Sequence, residues 1–154
     1  MAINVGSKAP EFTLFDEDKK FRSLSEFLGK KVVLAFFPGA FTGVCTKELC
    51  AFRDAMSNFN NLNAQVIGIS VDSPFANKAF AMQNNLQFPL LSDYMRVVSK
   101  QYGGVHEDFA GMKGYSASKR TVFIIDANGN VKYAWVSENP GVEPDYNAIT
   151  QALK

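Results

Sequence analysis

The sequence predicts an α/β fold built on a mixed sheet, and three observations carry the prediction. Apolar runs of strand length alternate with segments whose apolar residues recur at helical spacing. Three of the runs are near-continuously apolar, as strands covered on both faces of a sheet are, and the last alternates. The last two flank strong turn chemistry, as the strands of a hairpin do. At 154 residues the chain has the size of one domain, taken as 1–154.

The elements follow in order. The charged cluster Asp16-Glu17-Asp18-Lys19-Lys20 reads as the turn of an N-terminal hairpin. Lys31 to Phe37 is a buried strand, and Gln65 to Val71 a second. Between them, Cys45, Leu49, Phe52, Met56 and Phe59 fall within about 40° of one helical direction, so Cys45 points to the core side of its helix. Ser73-Pro74 reads as N-cap and first helical residue, with Phe75, Ala79, Met82 and Leu86 as the apolar stripe that follows. Tyr94 to Tyr102 predicts a third helix, stopped by Gly103-Gly104. Thr121 to Ile125 is the third buried strand. Asp126-Ala127-Asn128-Gly129-Asn130 turns the chain into Val131 to Trp135, and Asp145 to Lys154 closes it as a helix. The predicted order is β, β, β, α, β, α, α, β, β, α, an α/β sandwich with a mixed sheet.

Composition narrows the function classes. A net charge of +1 gives no footprint for nucleic acid or an anionic membrane. No apolar run approaches the roughly 20 residues a bilayer span needs. The first residues, Met1 to Gly6, lack a basic start and an apolar core, so no export signal is read and a cytoplasmic setting is expected. Two cysteines are too few for a disulfide scaffold. With His106 the only histidine, they are also too few for a structural zinc site. Two thiols five residues apart point to redox chemistry or to an inert core.

Position favours chemistry. Thr42-Gly43-Val44-Cys45 follows the first buried strand, where a glycine-containing loop leads into a helix. Ligand sites of open α/β sheets lie at such junctions. A free thiol of pKa about 8.5 is only a few per cent thiolate at neutral pH, and unpaired N–H groups at a helix start favour that nucleophilic form. Thr42 reads as the N-cap of this helix. Pro38 ends the strand and stiffens the loop. Glu48 reads as an exposed helical carboxylate, Arg120 as a charge just before a strand, Arg53 as a weaker pocket candidate and His106 as surface. On an intact helix Cys50 stands 140° around from Cys45, with Cα atoms roughly 8–9 Å apart. A disulfide needs about 7 Å or less, so pairing requires the first turns of the helix to unwind.

The spacing Pro38-x-x-x-Thr42-x-x-Cys45 resembles the active-site motif of the peroxiredoxins. The resemblance runs from Gly6-x-x-Ala9-Pro10-x-Phe12 to Lys119-Arg120-Thr121-Val122-Phe123. Cys50 resembles the second thiol of the branch called bacterioferritin comigratory protein or peroxiredoxin Q. This resemblance implies a thioredoxin-like fold with an N-terminal β extension. It implies a peroxidase in which Cys45 attacks a hydroperoxide and becomes a sulfenic acid. Thr42 and Arg120 would contact the sulfur and the peroxide, Pro38 would shield them, and Glu48 would support Arg120. Cys50 would then form a disulfide with Cys45, reduced by a thioredoxin-like partner. No cofactor is implied, and the assembly would be a monomer or homodimer. Three other readings stay open: a one-cysteine peroxidase resolved by an external thiol, a peroxide sensor without turnover, and a thiol–disulfide oxidoreductase. The last usually carries Cys-x-x-Cys, which this chain lacks.

Overall fold

The computed structural model describes residues 3–154. Met1 and Ala2, where the export-signal reading begins, lie outside the described residues. A seven-stranded mixed sheet forms the centre. Its strands are β1 (Thr13–Asp16), β2 (Phe21–Ser23), β3 (Lys31–Phe36), β4 (Ala64–Ser70), β5 (Leu90–Ser92), β8 (Thr121–Ile125) and β9 (Val131–Val136). The order across the sheet is β2-β1-β5-β4-β3-β8-β9. Strands β3, β4 and β5 run parallel, and the pairs on either side of them are antiparallel. The N-terminal hairpin therefore extends one edge, with Asp16 bonding the amides of Asp18 and Lys20 across its turn. A separate two-stranded ribbon pairs β6 (Val105–His106) with β7 (Ala117–Ser118).

Alternation along β3 divides the interior. Val33, Ala35 and Phe37 face one core with Cys45, Leu49, Phe52 and Phe80, whereas Val32, Leu34 and Phe36 face the other with Phe12, Tyr102 and Phe123. Successive side chains of a strand point to opposite faces, so a run apolar throughout needs a cover on both. The first cover is made by α2 (Gly43–Asp54), α3 (Met56–Asn61), α4 (Pro74–Gln83) and α6 (Tyr146–Leu153). α1 (Leu24–Phe27) and α5 (Val97–Gln101) lie on the other side with the N-terminal segment.

Four expectations need correction. The helix read through Cys45 to Phe59 divides in two at Ala55, whose N–H reaches the Ala51 and Phe52 carbonyls together. α4 starts as predicted, with Ser73 Oγ accepting from the Ala76 amide, but it buries a different face. Phe75 and Met82 are 69% and 70% exposed, while Pro74, Asn77, Phe80 and Ala81 are buried. The reason is polar: the buried Asn77 side chain meets Ser70 Oγ at 3.2 Å at the end of β4, which turns Phe80 inward and Phe75 out. The helix expected from Tyr94 begins only at Val97. Arg96 is left-handed (φ 63°), and the Asp93 carboxylate accepts from the Val98 and Ser99 amides to fix the start there. Finally, β5 was not foreseen, because three residues carry no period to read.

Candidate active site

β3 delivers the chain to the site. Pro38 and Gly39 are buried at its end, and the next three residues form a tight, outward-facing bend. Thr42 Oγ1 donates to the Gly39 carbonyl at 2.7 Å, and the Ala40 amide donates to Asp72 Oδ2 at 2.8 Å. Asp72 lies just beyond β4 and also accepts from Ser70 Oγ, so the second strand positions the loop of the first. Phe41 takes a left-handed conformation (φ 67°) that a side chain adopts only under constraint, and its ring packs edge-on against Phe80.

Thr42 occupies the N-cap position of α2, with extended backbone (φ −86°, ψ 153°). Its carbonyl accepts from the Thr46 amide, but its hydroxyl is turned back to Gly39 and caps none of the first-turn amides. Cys45 is the third residue of the helix, among the amides that no helical carbonyl can satisfy. Its side chain is fully buried, under exposed Phe41, Thr42 and Gly43.

Opposite the sulfur stands Arg120, 75 positions later in the chain, immediately before β8 and 1% exposed. Nη2 donates to Cys45 Sγ at 3.3 Å and to the Pro140 carbonyl at 2.7 Å. Nε donates to the same carbonyl at 3.2 Å, and Nη1 to Glu48 Oε1 at 2.7 Å. A guanidinium has five N–H donors, so four are engaged and one, on Nη1, is left for a further acceptor. Glu48 is not the exposed carboxylate its sequence context suggested. One turn beyond Cys45 it shares the buried face, with Oε2 lacking a partner among the described residues. Burial pushes its carboxyl up to about 7, against the lowering pull of the Arg120 charge. On Arg120 burial acts downward, yet the Glu48 carboxylate and the Cys45 sulfur together raise it further, so the guanidinium is the fixed charge of the site.

The remaining candidates stand apart. Arg53 points away, pairing Asp54 Oδ1 and the Asn84 carbonyl. Cys50 is half-buried on α2, and both cysteines are free. His106 is not a surface loop residue: it belongs to β6, stacks on Phe109, and has Nε2 buried without a partner among the described residues. Burial and the Lys119 charge hold it below the ordinary histidine range. Sequence reading missed two participants. Pro140 acts through its backbone and leaves no side-chain signal. Asp72 had one, an acid at the carboxyl end of a parallel strand, where ligand loops gather. Among the described residues no helix is long and apolar enough to cross a membrane, and no three His, Cys, Asp or Glu side chains gather as a metal site.

The AhpC/TSA family pattern matches residues 5–134. A Coxiella burnetii protein named as a peroxiredoxin bcp is 42% identical over 88% of this chain and 89% of its own. Peroxiredoxin Q of Gentiana triflora, a chloroplastic protein, is 42% identical over 99% of this chain, which spans 66% of that longer protein. In three dimensions, peroxidoxin BcpB of Mycobacterium tuberculosis superposes with a TM-score of 0.86. It covers 98% of this chain and 96% of that one, at 32% identity. A buried thiol at a strand–loop–helix junction, faced by an arginine that immediately precedes a distant strand, is thus set in a fold shared over nearly the whole chain. The chain belongs to the AhpC/TSA family, among the bacterioferritin comigratory protein and peroxiredoxin Q type of peroxiredoxins, which are thiol-dependent peroxidases.

Proposed function

We propose that Cys45 is the nucleophile of this peroxidase, that Arg120 and Thr42 bind and polarise the hydroperoxide, and that Cys50 resolves the oxidised sulfur. The observation that carries the reading is the Arg120 guanidinium, held by Glu48 and Pro140 with one N–H that has no acceptor among the described residues, 3.3 Å from the Cys45 sulfur. The Cys45 thiolate attacks one peroxide oxygen in line. The O–O bond breaks, an S–O bond forms, and the other oxygen takes a proton to leave as water or alcohol, giving Cys45 sulfenic acid. Arg120 fixes the peroxide and meets the charge that develops on the departing oxygen. Thr42 joins it when its hydroxyl leaves Gly39, and Pro38 keeps water from the sulfur. Glu48 holds the guanidinium in place.

Cys50 then attacks Cys45: an S–S bond forms, the S–O bond breaks and water leaves. A thioredoxin-like dithiol reduces the disulfide by two exchanges through a mixed disulfide. Both cysteines lie on one continuous helix, which supports a cycle in which the first turns of α2 unwind after oxidation. Residues 1–154 act as a single domain, and two reduced thiols suit a reducing, cytoplasmic compartment. The test is intact mass after one equivalent of hydrogen peroxide, with free thiols trapped. Wild type loses two hydrogens and Cys50→Ser gains one oxygen as a trappable sulfenic acid. Sulfenic acid in both would make the chain a one-cysteine peroxidase, and no rapid oxidation of Cys45 would refute the whole reading.

A further inference from the structure

Cys50 does not hang free from its helix. Its Sγ lies 3.6 Å from Asn84 Oδ1, on the residue that ends α4. Asn84 is itself firmly placed. Its amide N–H and its Nδ2 both donate to the Phe80 carbonyl, at 3.2 and 3.0 Å, which leaves Oδ1 facing the thiol. Its carbonyl is among the last acceptors of α4, which no helical amide reaches, and it takes a 2.7 Å bond from Arg53 Nη1. Arg53 follows Cys50 by three residues, so the two side chains are neighbours on one face of α2. Two side chains of α2 therefore grip a single residue of α4, one through sulfur and one through a guanidinium.

The grip bears on the reaction because Cys50 cannot reach Cys45 while α2 is intact. Every unwinding that delivers Cys50 must first part it from Asn84. From this juxtaposition we infer that Asn84, with Arg53, is a positioning residue for the second half of the cycle: it holds Cys50 on the folded helix and sets how fast that thiol is released toward oxidised Cys45. The inference rests on the reading of Cys50 as the resolving thiol. What it governs is a competition for the sulfenic acid. In one branch Cys50 displaces the hydroxyl, which leaves as water with the thiol proton, and the S–S bond forms. In the other a second hydroperoxide transfers an oxygen atom to the same sulfur, giving the sulfinic acid and one molecule of water or alcohol. The clasp slows the first branch and leaves the second untouched.

The experiment is rapid-quench intact mass on the reduced full chain, from one equivalent to a large excess of hydrogen peroxide. Wild type is compared with Asn84→Ala and with Arg53→Met. The second variant keeps the aliphatic stem, the Asn84 side chain and its Cys50 contact, and removes only the guanidinium bond to the Asn84 carbonyl, so it reads the clasp even where Asn84→Ala loosens the helix. Loss of one hydrogen bond's net worth shortens the sulfenic acid lifetime about two- to tenfold. The peroxide excess that converts half of Cys45 to sulfinic acid rises by the same factor, while the rate of the first oxidation of Cys45 stays at the wild-type value. A merely structural loosening would alter that first rate too. Disulfide formation at wild-type rates in both variants would overturn the clasp and leave Cys50 as the resolver. Absence of any disulfide in wild type would overturn both.

Discussion

Arg120 is a charge buried in this interior, and a buried charge forfeits several kcal/mol of hydration unless its donors are met. Glu48, Pro140 and the Cys45 sulfur meet four of the five, and this is what lets a guanidinium stand beside a thiol without solvent. Arg120→Met keeps much of the volume and removes the donors. The second-order rate with hydrogen peroxide, followed by stopped-flow fluorescence, should fall about 10²–10³-fold, the usual loss when a donor to developing charge is deleted. Arg120→Lys should recover little of it, since an ammonium cannot reproduce the fork that holds Glu48, Pro140 and sulfur together. Glu48 makes a separate prediction about stability. Its carboxyl is raised from 4.5 to about 7 by burial. Between those values the folded chain binds a proton that the unfolded chain does not, so stability falls as pH rises through that window. Relative to Glu48→Gln, wild type should lose on the order of 3 kcal/mol between pH 4.5 and pH 7. Parallel urea titrations of the two proteins across that range measure the difference, and equal slopes would show that Glu48 stays ionised throughout.

At the scale of elements, what could be read from the sequence was what a local period or a local cap determines. Lys31 to Phe36, Ala64 to Ser70 and Thr121 to Ile125 are legible because a strand covered on both faces reads as a near-continuous apolar run and does not alternate. Ser73 and Asp145 announce their helices because each side chain caps the amide three residues on. Cys45, Thr42 and Arg120 were legible as candidates through motif spacing. The side of α4 that faces inward was not, since two apolar stripes compete on its surface. The winner is chosen by Asn77 reaching Ser70 on another element, and a polar residue gives a hydropathy pattern no reason to point it inward. For Glu48 the resemblance anticipated support of Arg120, but its burial could not be read locally, because its partner lies 72 residues away and nothing near it in sequence marks it as buried. The face of α4 is directly testable. Phe80→Ala, which empties a fully buried ring site between Phe37 and Phe41, should cost about 3–5 kcal/mol. Phe75→Ser, on the face a hydropathy reading would have buried, should change stability by about 0.5 kcal/mol or less. Chemical denaturation of the two variants decides it, and the opposite ranking would restore the stripe that runs through Phe75.

The whole molecule is arranged so that its reactive helix is also part of its core. Leu49 and Phe52 of α2 pack with Phe59 and the ring of Tyr146 from α6, while Cys45 and Glu48 close over Arg120 just ahead of β8. Oxidation under the proposed cycle therefore reaches beyond the site. A disulfide across five residues encloses so short a loop that the chain-entropy gain is only about 2 kcal/mol. Forming it unwinds the turns that bury Leu49, worth about 1.5–3 kcal/mol, and parts Glu48 from Arg120, where breaking a buried pair costs about 3–5 kcal/mol. The losses exceed the gain, so this disulfide should destabilise the chain that carries it, the reverse of what a structural cross-link does. The melting temperature of the oxidised protein should lie about 5–10 °C below that of the reduced protein, at the few degrees per kcal/mol expected of a domain this size. Far-ultraviolet circular dichroism should show the loss of two to three helical turns before any melting begins. Scanning calorimetry of both redox forms, with Cys50→Ser as the control that cannot cross-link, separates the disulfide from the sulfenic acid. An oxidised form that melts at or above the reduced one would mean that α2 stays wound and that Cys50 is not the partner of Cys45. A depressed melting temperature has a functional corollary. The energy stored in the unwound form favours reduction, so a thioredoxin-like dithiol meets a disulfide already inclined to open, and rewinding of α2 returns Cys45 to Arg120 for the next turnover.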